Sequence, residues 1–170
     1  VIAITGSNGK TTTKNLLRAI LSAEGPTVAP EGSFNNHVGA PISMLRVDDA
    51  TRFLIVEMGA SRIGEIARLI SIVTPDIGVV LKVGLAHAGE FGGIDAVQRA
   101  KAEMVTELPP DAVALLHGDD PRVDEMAGMT RSSSSSAVTS GPGPAFTPPT
   151  SRKSAPSVAS CSALARKPSK

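Results

Sequence analysis

The chain has 170 residues, 41% of them hydrophobic, and a formal net charge of +1, which is enough for one domain with a real core. Its single cysteine, Cys161, excludes an internal disulfide framework and fits a reducing, cytoplasmic setting. The absence of Trp and Tyr leaves no aromatic platform for single-stranded nucleic acid, and no apolar run approaches the roughly 20 residues that span a bilayer.

Val1 to Ile4 has the length and β-branched content of a buried strand. Gly6 and Gly9 bracket a tight loop, and Lys10-Thr11 opens a helical stretch in which Leu16, Leu17, Ile20 and Leu21 are expected to share one face, with Gly25 ending it. Thr27 to Pro30 reads as a short strand. Glu31 to Pro41 is a polar loop, too long for a simple turn, followed by a short helix over Ile42 to Val47. Arg52 to Met58 is a strand that carries an acid, Glu57, near its end. Ile63, Ile66, Ala67, Ile70 and Val73 give a helical stripe closed by Pro75. Ile77 to Val83 is another strand, and Gly84 to Gly93 a loop. Ile94, Val97, Lys101, Met104, Val105 and Leu108 share a helix face, stopped by Pro109-Pro110. Ala112 to Leu116 is a strand, and Asp119-Asp120-Pro121 starts a last short helix.

Apolar strands alternating with helices predict an α/β fold: a mostly parallel sheet with helices on both faces. Ligands gather at the carboxyl ends of strands in such sheets, so the Gly6–Thr11 loop, Glu57, the 84–93 loop and the His117 region are expected to converge on one edge. The pattern stops at Thr130. Residues 1–130 carry 11 Lys/Arg against 16 Asp/Glu, an acidic balance that argues against a nucleic-acid face. Residues 131–170 carry 6 Lys/Arg and no acid, and their Ser/Pro-rich composition predicts a disordered, low-complexity tail after a 1–130 nucleotide-binding domain. A shifted reading frame or a genuine linker would each produce such a tail. A strand beginning at Val1 without an initiator Met reads as a segment of a longer protein, and no signal-peptide pattern is present.

Strand, glycine loop, Lys-Thr and helix together are the architecture of a phosphate-binding loop (P-loop). Backbone N–H groups and the helix end face an anion, Lys10 supplies a point charge, and the Thr11 hydroxyl reaches Mg²⁺. The motif is the short Gly-x-x-Gly-Lys-Thr, because Ile4 stands where the longer pattern has its first Gly. A Gly-rich turn ahead of a polar helix start is the bland alternative. Glu57 could share Mg²⁺ with Thr11 or be a solvated acid at a strand end. His87 sits among small residues, but imidazole is not the preferred ligand of a hard ion, and spacing alone does not select it. Lys101 lies in the apolar stripe of its helix. It is either snorkelling outward, which the sequence favours, or desolvated with a lowered pKa and open to carbamylation by CO₂.

Taken together these motifs resemble the Mur ligases, ATP-dependent amide-forming ligases of peptidoglycan precursor synthesis. Gly6-Ser7-Asn8-Gly9-Lys10-Thr11-Thr12-Thr13 looks like their P-loop. The 31–41 loop, Glu57-Met58-Gly59-Ala60-Ser61, Gly64-Glu65-Ile66-Ala67, Ala86-His87 and Ala100-Lys101-Ala102-Glu103 are similar to the member that joins D-alanyl-D-alanine to UDP-MurNAc-tripeptide. The resemblance covers about residues 1–129, the family's central ATPase domain. It implies that Gly6, Ser7, Asn8, Gly9, Lys10, Thr11, Thr12 and Asn36 bind ATP, and that Thr11 and Glu57 hold one Mg²⁺. It also implies that His87 and a carbamylated Lys101 serve a second metal, and that Lys10, Lys101 and His87 are the catalytic set. The substrates would be UDP-MurNAc-tripeptide and D-alanyl-D-alanine, joined through an acyl phosphate by a monomeric cytoplasmic enzyme without nucleic acid or membrane insertion. The sequence departs from the family at His37, Lys82 and His117. The last replaces an Asn in a stretch near the nucleotide base. The family's domains for the UDP-sugar and the amine are not in these residues, so the 170 residues alone are expected to bind Mg·ATP weakly and not to complete ligation. Rival readings are another Mur-type or folylpolyglutamate-type ligase, a P-loop kinase or GTPase, and a non-catalytic nucleotide-binding remnant.

Overall fold

The computed structural model describes residues 1–32, 35, 39–84, 92–130 and 134–138. β1 (Ile2–Thr5) leads through the glycine loop into α1 (Lys10–Leu21) and β2 (Thr27–Val28). α2 (Gly39–Met44), β3 (Phe53–Glu57), α3 (Glu65–Val73), β4 (Ile77–Val80) and α4 (Ile94–Thr106) follow. The described chain ends with β5 (Val113–His117), α5 (Pro121–Asp124), a 3₁₀ turn (Glu125–Met129) and β6 (Ser134–Val138). The strands form one sheet in the order β2-β3-β1-β4-β5-β6, and every pairing is parallel, as the alternation of apolar strands and helices predicts. β1 lies between β3 and β4, where the chain crosses from one half of the sheet to the other. A crevice for ligands opens at such a switch point.

Side chains alternate across the sheet with a period of two. Ala3, Val56, Val80 and Leu116 face one layer, where they meet Ile66, Leu69, Ile70 and Val73 of α3 and Val97, Met104 and Val105 of α4. Ile4 and Ile55 face the other layer and pack with Leu17 and Leu21 of α1. Each fully buried aliphatic side chain contributes about 1.5–3 kcal/mol, so the two layers together fix the strand register. The glycine that interrupts β4 has a packing reason. A Cβ on Gly78 would lie 2.8 Å from Leu108 Cδ1 and 3.1 Å from Met104 Sδ, so only Gly lets α4 sit this close to the sheet.

Four sequence expectations need correction. Leu16 and Ile20 do not face the core: they are 60% and 63% exposed, while Lys14 is buried. The inward face of α1 runs through Lys10, Lys14, Leu17 and Leu21, a spacing of four, three and four, and Leu16 and Ile20 sit about 100° off it. Ile63 is likewise exposed and precedes α3, which starts after Gly64. The short helix expected over 42–47 is Gly39–Met44, with Pro41 in its first turn, where a missing N–H costs nothing. Finally, Ser134–Val138 lies within the segment expected to be disordered, yet forms β6 beside β5, with Val113 opposite Ser134 and His117 opposite Val138. An open sheet edge offers backbone partners to a strand whatever its side chains, so pairing overrides the low strand propensity of serine. Residues 131–133 and 139–170 of that segment lie outside the described residues.

Candidate nucleotide-phosphate site

The loop between β1 and α1 owes its shape to close backbone approach. Gly6 has φ +151°, and a Cβ there would stand 3.0 Å from Leu81 Cβ and 3.2 Å from the Lys82 nitrogen. Gly9, with φ +86°, caps α1 in the left-handed region that glycine occupies without strain. The loop is pinned to the end of β4. The Ser7 N–H donates to the Lys82 carbonyl at 2.8 Å, and the Ser7 hydroxyl accepts from the Gly84 N–H at 2.9 Å and donates to the Gly84 carbonyl at 3.1 Å. Asn8 and Gly9 remain exposed at the loop tip, as does Thr12 on the first turn of the helix.

Lys10 curls back over this loop and donates to the Gly6 carbonyl at 2.8 Å. Burial holds its pKa below the ordinary lysine value, and the Glu57 carboxylate opposes that shift. Glu57 itself is fully buried at the end of β3. The Thr11 hydroxyl donates to Glu57 Oε2 at 3.3 Å, across 46 residues of sequence. Glu57 Oε1 accepts no hydrogen bond, and Lys14 Nζ lies 3.2 Å from it, outside hydrogen-bonding geometry but within ion-pair distance.

The exit of β3 is tied to the loop on either side of it. Met58 N–H donates to the Ile4 carbonyl at 2.8 Å, and the Thr5 hydroxyl donates to the Met58 carbonyl at 2.8 Å. Gly59 N–H donates to the Asn35 carbonyl at 2.6 Å, and a Cβ on Gly59 would stand 2.9 Å from Asn35 Oδ1. Asn36, expected near the phosphates, lies outside the described residues, and so does His87.

Lys101 does not snorkel: it is 4% exposed on α4. Burial first, and the Lys10 charge second, push its pKa down to about 8. A helix position between apolar neighbours cannot by itself distinguish a stem lying along the surface from one enclosed beneath it; the packing of α4 against the sheet encloses this one. The structure therefore brings Lys10, Thr11, Glu57 and the field of Lys101 together at the carboxyl edge of the sheet.

Sequence reasoning missed three polar residues of this region. Lys14 is one, and its signal was available, since it lies four after Lys10 and three before Leu17. Glu103 is another: its carboxylate accepts the N–H groups of Gly64 and Ala67 at the start of α3. Asp120 is the third. It caps α5 through the Arg122 N–H at 3.0 Å and accepts the Val83 N–H at 3.0 Å, joining the end of β4 to the end of β5. The Glu103 contacts and the Asp120–Val83 contact are long-range and leave no local sequence pattern, whereas the Asp120 cap belongs to the helix start that Asp119-Asp120-Pro121 announces. His117 lies beside this cap with Nε2 3.7 Å from Asp119 Oδ2.

The Thr11 hydroxyl and Glu57 carboxylate are hard oxygen donors, and Glu57 Oε1 is a buried acceptor without a hydrogen bond. No cluster of three His, Cys, Asp or Glu side chains occurs among the described residues. One carboxylate and one hydroxyl is too sparse a set for a caged ion but suits Mg²⁺, which keeps waters and takes further oxygens from substrate phosphates.

Residues 4–147 match the family described as the Mur ligase middle domain. The UDP-N-acetylmuramoyl-tripeptide–D-alanyl-D-alanine ligase of Mycobacterium bovis is 48% identical over 130 residues, covering 76% of this chain and 26% of that protein. A crystal structure of MurF from Acinetobacter baumannii superposes with a TM-score of 0.74 at 38% identity, over 81% of this chain and 30% of that one. MurF ligase from Thermotoga maritima, solved in complex with ADP, superposes with a TM-score of 0.72 at 33% identity, over 81% of this chain and 31% of that one. The chain thus spans about a quarter of the length of the curated relatives it matches.

Proposed function

The chain belongs to the Mur ligase family, and from that membership we propose that it is the middle, ATP-binding part of a ligase joining D-alanyl-D-alanine to UDP-N-acetylmuramoyl-tripeptide. The observation that carries this reading is the convergence of Lys10, the Thr11 hydroxyl and the buried Glu57 carboxylate on one loop at the switch point of the sheet. ADP bound to the Thermotoga relative supports a nucleotide in the same crevice.

The chemistry divides among the chain's own groups. The loop N–H groups and the start of α1 receive the phosphates, and Lys10 leaves its Gly6 carbonyl for the β/γ oxygens. The carboxylate of the tripeptide attacks the γ-phosphorus, the bond to the β–γ bridging oxygen breaks, and ADP leaves with that electron pair. The amine of D-alanyl-D-alanine then attacks the acyl phosphate carbonyl carbon, and the tetrahedral intermediate expels phosphate as the amine loses its proton. Lys10 offsets the negative charge that gathers on the transferred oxygens. Thr11 and Glu57 would hold Mg²⁺, which when bound neutralises phosphate charge. Lys101, its pKa lowered to about 8, has a substantial neutral fraction at mildly alkaline pH and can take up CO₂ as a carbamate, releasing a proton. That anion, with His87, would form the second metal position. Asn36 would stand near the phosphates and the acyl group.

The test uses the full-length protein that carries this segment, supplied with Mg·ATP, UDP-linked tripeptide and D-alanyl-D-alanine. The expected products are the UDP-linked pentapeptide, ADP and phosphate. Turnover with a single amino acid or a folate in place of the dipeptide, and none with D-alanyl-D-alanine, would overturn the assignment.

A further inference from the structure

Lys14 is 1% exposed, on the inward face of α1 one turn beyond Lys10. Three oxygens from two other segments surround its ammonium. The Pro30 carbonyl accepts at 2.8 Å, the Gly32 carbonyl accepts at 2.6 Å, and Glu57 Oε1 stands at 3.2 Å. Core packing does not explain a cation here, because a methionine of similar volume would fill the same space without taking a charge out of water. The arrangement instead sorts the two oxygens of Glu57. Oε1 lies on the Lys14 side, and Oε2 is turned toward the Thr11 hydroxyl at the mouth of the phosphate loop. The same ammonium fastens the chain after β2, which leads to Asn35 and its contact with Gly59, to the end of β3.

We propose that Lys14 is a positioning residue of the nucleotide site. It holds Glu57 Oε2 aimed at Thr11, and it locks the 30–32 segment to that carboxylate. The inference rests on the reading of Glu57 as a metal ligand and deepens it. Outer partners of a ligating carboxylate fix its orientation, and losing one typically weakens metal affinity about 10–100-fold.

The experiment measures ADP binding by the full chain across a magnesium titration, for the wild type, Lys14→Met and Glu57→Gln. In the wild type magnesium should tighten ADP binding, and Glu57→Gln should abolish that gain. If magnesium has no effect on the wild type, the metal reading of Glu57 fails. If magnesium tightens wild-type binding, Lys14→Met should need about 10–100-fold more magnesium for the same gain, a larger change than any in its metal-free ADP affinity. An unaltered magnesium requirement in Lys14→Met overturns the proposal and leaves the metal reading intact. A merely structural lysine would instead lower both affinities together. Thermal unfolding supplies a second arm. Lys14→Met buries an unpaired carboxylate, so Lys14→Met/Glu57→Gln should unfold at a higher temperature than Lys14→Met alone. A double variant no more stable than the single would also overturn the pairing.

Discussion

Glu103 on α4 caps the first turn of α3, accepting the Ala67 N–H at 2.9 Å and the Gly64 N–H beside it. The N-terminus of a helix carries unpaired N–H groups and a partial positive charge, and here a carboxylate from another helix meets both. Gly64 has no side chain to serve as a local cap, so the function passes to Glu103. Glu103 also follows Lys101 by two residues, so the cap fixes the part of α4 that carries the perturbed lysine.

Removing this cap should be felt in stability. Glu103→Ala strands two backbone donors and should lower the unfolding free energy by about 1–3 kcal/mol in urea titration. Glu103→Gln keeps one acceptor oxygen and should cost less. A loss for Glu103→Ala within about 0.5 kcal/mol, the range of ordinary surface substitutions, would show that the cap is dispensable.

Lys10 gives a prediction about transition-state charge. Its ammonium rests on the Gly6 carbonyl at 2.8 Å, above the loop where phosphate oxygens are proposed to sit. In the full-length enzyme Lys10→Ala should lower turnover about a hundredfold or more, the value of roughly 3 kcal/mol for a contact of this kind. The readout is ADP release under saturating substrates. Turnover near the wild-type rate would remove Lys10 from the phosphate site.

Lys101 gives a pH signature. Its folded pKa of about 8 lies below the model-compound value of 10.5. Between those two pH values the unfolded chain binds more protons at this residue than the folded chain does, so stability rises with pH across that window. Below about pH 8 both states are charged, and the full cost of burying the cation persists. Urea midpoints measured from neutral pH to pH 10 should therefore show an upward component in the wild type that is missing in Lys101→Met. With ¹³C-bicarbonate, the wild type should also show a carbamate carbonyl signal that Lys101→Met lacks. Identical pH profiles would show that Lys101 is solvated.

The edge strand gives a prediction in hydrogen exchange. Residues 134–138 pair with β5 along its whole length. Amides of β6 that donate into this ladder should exchange more slowly than a random coil, with the protection expected of an edge strand and below that of β1. Random-coil rates throughout Ser134–Val138 would restore the sequence expectation of a disordered segment.

What the sequence determined by itself was the order of elements and the strand, glycine loop and helix form of the first segment. Apolar runs of strand length alternate with helical stripes, and only a parallel sheet covered on both faces buries all of them. Gly6, Gly9, Lys10 and Thr11 are close in the chain, so the shape of their loop follows from local geometry, and Glu57 falls beside it because it ends a neighbouring strand. The tertiary structure decided everything that depends on contacts across the sheet. Burial of Lys14 against Glu57 makes an internal cation of a residue to which the sequence reading gave no role. Packing of α4 converted Lys101 from a snorkelling side chain to a desolvated one. The open edge of β5 recruited Ser134–Val138 in spite of its composition. In each case the deciding energy is desolvation or backbone pairing with a residue far away in sequence, and neither leaves a mark on local periodicity.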